Sequence, residues 1–115
     1  MASSLLGKFV AYQKALGVVG AVENAVGGWK GWSPLVDQVR RASSSVVLNL
    51  AEGNGHDPGS KERRRFQRIA LGSALEVEGA LDVAAAAHLG DPDALAAARA
   101  LSSESIALLL RLTDA

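Results

Sequence analysis

Apolar residues recur along this chain at steps of three and four, the spacing of one face of an α-helix. They do so in four stretches separated by short polar links. Over residues 4–26, Leu5, Phe9, Tyr12, Leu16, Val19 and Val26 share one stripe, and Gly27-Gly28 ends it. Gly7, Gly17 and Gly20 each weaken that helix by up to about 1 kcal/mol relative to Ala, so packing compensates or another helix comes close. A second helix is expected over residues 34–52, with Ser33 as capping hydroxyl and Pro34 at the first helical position. Its stripe is Leu35, Val39, Ala42, Val46 and Gly53, broadened by Val36, Val47 and Leu50, with Gly53 the expected left-handed terminus. The third, over residues 61–89, is capped by Ser60 and closed by Gly90. It turns Phe66, Ala70, Ser73, Val77, Ala80 and Ala84 inward, with Leu71, Leu75 and Val83 widening the face. Asp91-Pro92 starts the fourth, over residues 92–112, with Leu95, Leu101, Leu108 and Leu112 inward and Ile106, Leu109 and Leu110 in other directions. Short links between four helices predict an all-α fold, an antiparallel up-down-up-down four-helix bundle in one domain.

The link GGWKGW holds both tryptophans, Trp29 and Trp32. They are expected to cover one end of the bundle; the alternative is a partner or base-stacking surface. Composition narrows the core further. Apolar residues make up 49% of the 115 but aromatics only 4%, so Ala, Val and Leu must fill it, as side chains do where helices approach closely. On the last helix the apolar surface extends beyond the stripe a monomer needs, which predicts a homo-oligomer.

Twelve Lys and Arg balance twelve Asp and Glu, so any binding to phosphates must come from a local patch. There is no Cys, which removes disulfides, thiolate metal sites and cysteine nucleophiles. Residues 16–22 lie behind Lys8 and Lys14 and are cut off by Glu23, unlike the core of a signal peptide. No run approaches the ~18 apolar residues of a membrane span. A cytoplasmic protein without a membrane partner is the expectation.

Catalytic and metal patterns do not assemble. A di-iron bundle needs Glu-x-x-His on two helices; His56 follows Glu52 by four residues and lies in a link, and three residues before His88 stands Ala85. Glu76 and Glu78 are two apart, on different sides of a helix. Ser43, Ser44 and Ser45 have neither a strand-to-helix elbow nor a His partner, and residues 53–61 lack the spacing of a phosphate loop. We expect no enzyme, no cofactor and no metal.

The arginines remain. Between Asp37 and Ser73 stand seven cations, Arg40, Arg41, Lys61, Arg63, Arg64, Arg65 and Arg68, against four acids, Asp37, Glu52, Asp57 and Glu62. Lys61 and Arg65 share a helical face, as do Arg64 and Arg68. One reading is a solvated face with ion pairs to Asp37, Glu62 or a neighbouring subunit. The other is a phosphate-contacting patch of Arg40, Arg41, Lys61, Arg63, Arg64 and Arg68, multiplied in an oligomer.

The segments QVRRASSSVVLNLAEG and KERRRFQRIALGSALEVE resemble the paired motif of the 23S rRNA-intervening-sequence proteins and of their relatives, the accessory variability determinants of diversity-generating retroelements. Gln38, Arg40, Arg41, Ala42, Ser45, Val46, Asn49, Leu50, Ala51, Glu52 and Gly53 carry the first half. Lys61, Glu62, Arg65, Phe66, Ile69, Ala70, Gly72, Ser73, Glu76 and Glu78 carry the second. Tyr12-Gln13-Lys14-Ala15 is similar to the family's first helix, whereas Val47, Leu48 and His56 depart from its pattern. The resemblance implies an antiparallel four-helix bundle in a ring-like homopentamer. For the retroelement relatives it implies binding of nucleic acid and a reverse transcriptase through a basic surface.

The motif also has a structural reading. Asn49 and Glu52 fall on or near the inner side of the second helix, where Arg41 or Arg65 would satisfy Glu52. Gly72 and Ser73 would let the second helix approach the third, and Phe66→Ala would cost about 3–5 kcal/mol as a core truncation. These residues together predict a non-enzymatic oligomeric scaffold or adaptor, for RNA, DNA or a nucleic-acid enzyme. The alternative is a purely protein-binding module presenting Trp29 and Trp32.

Overall fold

The computed structural model describes residues 9–114; Leu5 of the expected first stripe, and Gly7 of the expected first helix, lie outside them. Among the described residues there are four helices and no strand: α1 (Val10–Val26), α2 (Ser33–Gly53), α3 (Lys61–Ala86) and α4 (Pro92–Thr113). The all-α, four-helix expectation holds. α1 and α3 each pack on both α2 and α4, and the α2–α3 interface is the most extensive.

Local chemistry sets most of the boundaries. Ser60 Oγ accepts from the Arg63 amide at 3.1 Å, and the Asp91 carboxylate accepts from the amides of Asp93 and Ala94 at 3.3 Å, as N-caps do. Ser33 does not cap α2. It is already helical, and Trp32 occupies the cap position without a side-chain bond.

Gly53 does not end α2 in a left-handed turn either; the residue after it, Asn54, has φ −70°. Glycine is needed there for proximity. A Cβ would stand 3.0 Å from Phe66 Cβ and 3.3 Å from the Arg63 carbonyl oxygen. The close approach assigned to Gly72 therefore occurs at Gly53, while a Cβ on Gly72 would meet nothing within 4 Å.

α3 stops before Leu89 and without Gly90. His88 takes the left-handed conformation, φ 56°, and the amides of Leu89 and His88 bond to the carbonyls of Ala84 and Ala85 at 2.9 and 3.2 Å. This is a Schellman closure with a side chain where glycine is usual. Because His88 is exposed, His88→Gly should stabilise the fold by about 1 kcal/mol through relief of that strain. A lowered denaturation midpoint would contradict it.

The core is lined by smaller residues than the apolar stripes suggest. On α1 the buried face is Ala11, Ala15, Val18, Ala21, Val22, Ala25 and Val26; of the expected stripe Val26 is buried, Leu16 is exposed, and Tyr12 and Val19 are half-buried. Small side chains occupy the lines of closest helix approach, and larger ones flank them. The same rotation occurs on α4. Ile106 and Leu109 are buried with Leu95 and Ala98, while Leu101, Leu108 and Leu112 only flank them. Of the three residues expected to point elsewhere, only Leu110 remains exposed, so most of the apolar surplus on α4 is covered within the chain. On α3, Leu75 and Val83 are exposed and do not widen the core.

Two apolar blocks result, one around Trp29, Leu81 and Leu95 and the other around Leu50, Ile106 and Leu109. Buried Ser43, Ser102 and Ser105 lie where they meet, and with Ala15, Val18, Val46, Ala74 and Val77 they line a void of about 10 Å³. That is near the least space one water needs. Ser43 bonds back to the Arg40 carbonyl at 3.1 Å.

Trp29 closes the end of the core and is buried, whereas Trp32 is exposed. The expected end cover is thus made by one tryptophan of the two. Over Trp29 the two links meet backbone to backbone, since a Cβ on Gly28 would stand 2.7 Å from Gly90 Cα.

Candidate nucleic-acid interface

The link between α2 and α3 turns sharply and leaves carbonyl groups without helical partners. Arg63 gathers them. Its Nε donates to the carbonyls of Gly53 (3.2 Å) and His56 (3.0 Å), and its Nη2 to that of Asn54 (3.1 Å). Phe66 braces the same corner, with the His56 ring stacked on it at 5.4 Å and the Arg65 guanidinium 5.6 Å from its centroid.

Phe66 is accordingly half-buried and outside both core blocks. The cost of Phe66→Ala should fall from the full-burial value to about 2 kcal/mol. Urea denaturation gives that number directly, and a loss of 4 kcal/mol or more would return Phe66 to the core.

With the corner fixed, the first turns of α3 present Lys61, Arg64, Arg65 and Arg68 around a shallow, open depression of about 690 Å³. Ile69 is the fifth lining residue, and none of the five is acidic. Arg64 donates to the Gly59 carbonyl at 3.3 Å, which holds one guanidinium at the rim. Four cations on the first two turns also lie at the positive end of the helix dipole, where anions are favoured. The arrangement suits a phosphate backbone, which needs several cations at once and no deep pocket.

The structure divides the expected patch. Lys61, Arg64 and Arg68 come together as expected. Arg40 does not join them: its Nε and Nη2 bond Glu23 at 2.7 and 3.0 Å, joining α2 to α1. The Arg40 hydrogen bond holds the Glu23 carboxyl below its ordinary range, and the same contact raises Arg40 further. Neither Asp37 nor Glu62 was the partner; the acid lies on another helix. Arg63 is occupied by the link, and Arg41 is exposed but does not line the depression.

The structural residues also sort out. Asn49 donates to the Ser45 carbonyl (2.8 Å) and hydroxyl (3.0 Å), and Ser45 and Ser73 hydroxyls bond across α2 and α3 at 2.9 Å. Ser73 therefore fastens these helices as expected, with Ser45 as its partner, while Asn49 bonds only Ser45 on its own helix. Glu52 does not. It is exposed, and among the described residues neither Arg41 nor Arg65 pairs with it. Being solvated, its carboxylate needs no buried partner. Arg65, assigned to that pairing, belongs to the depression; its spacing of four from Lys61 was the available signal. Ile69 had none, because its spacing suits a flanking core position equally well.

The model of the 23S rRNA-intervening sequence protein family matches residues 8–111. The chain belongs to this family. Both halves of the paired motif, and all the cations of the depression, fall within the matched span. No curated protein matches the chain. The family name specifies no catalytic activity, and among the described residues no group of three His, Cys, Asp or Glu is placed to hold a metal ion. No described helix is long and apolar enough to cross a membrane.

Proposed function

We propose that this family member is a non-enzymatic scaffold of the cytoplasm that binds nucleic acid through Lys61, Arg64, Arg65 and Arg68. Its four helices form an up-down-up-down bundle, and copies assemble into a ring-like homo-oligomer, with five the number the family resemblance implies. The observation that carries the binding reading is the depression itself: four cations and no carboxylate in a chain of zero net charge. Support for the bundle topology comes from opposed residue order across the seams. On α2 and α3, Gln38 meets Glu76, Ser45 meets Ser73, and Gly53 faces Phe66. On α1 and α4, Lys14 pairs with Glu104, and Gly28 faces Gly90.

Retardation of structured RNA and duplex DNA at low and moderate salt tests the binding. Wild-type protein should bind at micromolar concentration and release as salt rises, and Arg64→Glu with Arg68→Glu should weaken binding at least ~10-fold. Absence of salt-dependent binding would overturn the reading. It would favour the protein-binding alternative, which the exposure of Trp32 supports.

A further inference from the structure

We infer that the void between the two apolar blocks is a built site for one water molecule, which ties α2 to α4 through Ser43, Ser102 and Ser105. Each helix contributes two of the lining residues, three apart in sequence, so the void forms one layer across all four. α1 and α3 bring only Ala and Val to that layer; every polar side chain in it comes from α2 and α4. Those two helices face each other across the core, because every extensive interface between described helices involves α1 or α3.

The hydroxyls need a partner that the protein does not supply. All three serines are no more than 3% exposed. Ser43 uses its one proton on the Arg40 carbonyl, at 3.1 Å, and keeps its lone pairs for accepting. Among the described residues, the hydroxyls of Ser102 and Ser105 bond to no protein group, and both border the void. A hydroxyl buried in this way is costly until something bonds it. A water in the void donates to Ser43 Oγ and to one α4 hydroxyl, and accepts from the other. Three bonds are the usual complement of a buried water.

Size and charge decide the occupant. About 10 Å³ of space holds one water and nothing larger. No charged side chain lines the void, so an ion would lie there uncompensated. Ser102 also borders a surface notch of about 50 Å³, with Glu78, Asp82 and Arg99, which puts the site one side chain from solvent. The water has a consequence for the fold. Ala and Val alone would let closely packed helices slide along one another. A slide of one turn would carry the serines into an apolar block and leave their hydroxyls unbonded. The layer therefore fixes the level at which α2 meets α4.

The full chain in solution provides the test. Oxygen-17 magnetic relaxation dispersion should detect a long-lived internal water in the wild type. Water-to-methyl NOEs should reach Ala15 and Ala74, which are buried from bulk solvent. Ser105→Val fills the space and removes a hydroxyl; it should lose those NOEs and the dispersion amplitude of one water, with helix content unchanged. Ser43→Ala combined with Ser105→Ala should lower the denaturation midpoint by less than the two single losses added, because one water serves both. A wild type with neither dispersion nor NOEs overturns the site, whether or not Ser105→Val folds. So does a dispersion amplitude that Ser105→Val leaves unchanged, and so do midpoint losses that simply add.

Discussion

Gly90→Ala should destabilise this protein by about 2–5 kcal/mol, a large fraction of the 5–15 kcal/mol that holds a domain folded. Two costs add. Gly90 sits at φ +66°, where an L side chain loses roughly 1–2 kcal/mol. Its Cβ would also stand 3.1 Å from the Trp29 ring and 3.3 Å from the Ala25 carbonyl, and overpacking adds about 1–3 kcal/mol. Trp29 cannot retreat, because it is already buried among the residues of its core block. Gly28→Ala separates the two costs, since its Cβ meets Gly90 Cα at 2.7 Å and no positive φ is recorded for Gly28. Equilibrium denaturation of both variants measures them, and an unchanged midpoint for Gly90→Ala would mean that the two links do not close over Trp29.

Leu50→Ala should cost about as much, 2–5 kcal/mol, by a different route. Leu50 is among the largest fully buried side chains and joins Val46, Ala70, Ile106 and Leu109 in the second block. Its neighbours are mostly Ala and Val on helices already in close contact, so they have little reach to fill the space. Leu110→Ala is the control. That side chain is half exposed, and its removal should stay within roughly ±0.5 kcal/mol. Equal losses at the two positions would contradict the buried face assigned to α2 and α4.

The elements were legible where backbone chemistry is local. Ser60 and Asp91 cap their helices because their oxygens reach amides two or three residues on, which a sequence displays directly. The buried stripes were less legible. Periodicity gives the pitch of a face but not its centre. In a core this poor in aromatics, Ala15, Ala98 and Ser102 share the centre with Leu50, Leu81 and Leu109, while Leu101, Leu108 and Leu112 flank it. Gly53 and Gly72 show the same limit, since either could admit a neighbouring helix and only the packing places Phe66 against one of them.

The candidate site was half legible for a related reason. Spacing of four joined Lys61 to Arg65 and Arg64 to Arg68, and the depression contains all four. What spacing could not show is where other arginines are already engaged. Glu23 lies on another helix from Arg40, and the carbonyls that hold Arg63 exist only once the link has turned. Motif residues read as internal ties divide in the same way, with Ser73 in the seam, Asn49 bonded within α2, and Glu52 and Gly72 exposed.

Whether the depression binds nucleic acid is settled most directly by the slope of log affinity against log salt concentration. Four cations on phosphates give a slope of about −3 or steeper, and replacing Arg64 and Arg68 by Ala should make it shallower by about 2. A slope near zero, or one that ignores both substitutions, would contradict a nucleic-acid role for Lys61, Arg64, Arg65 and Arg68.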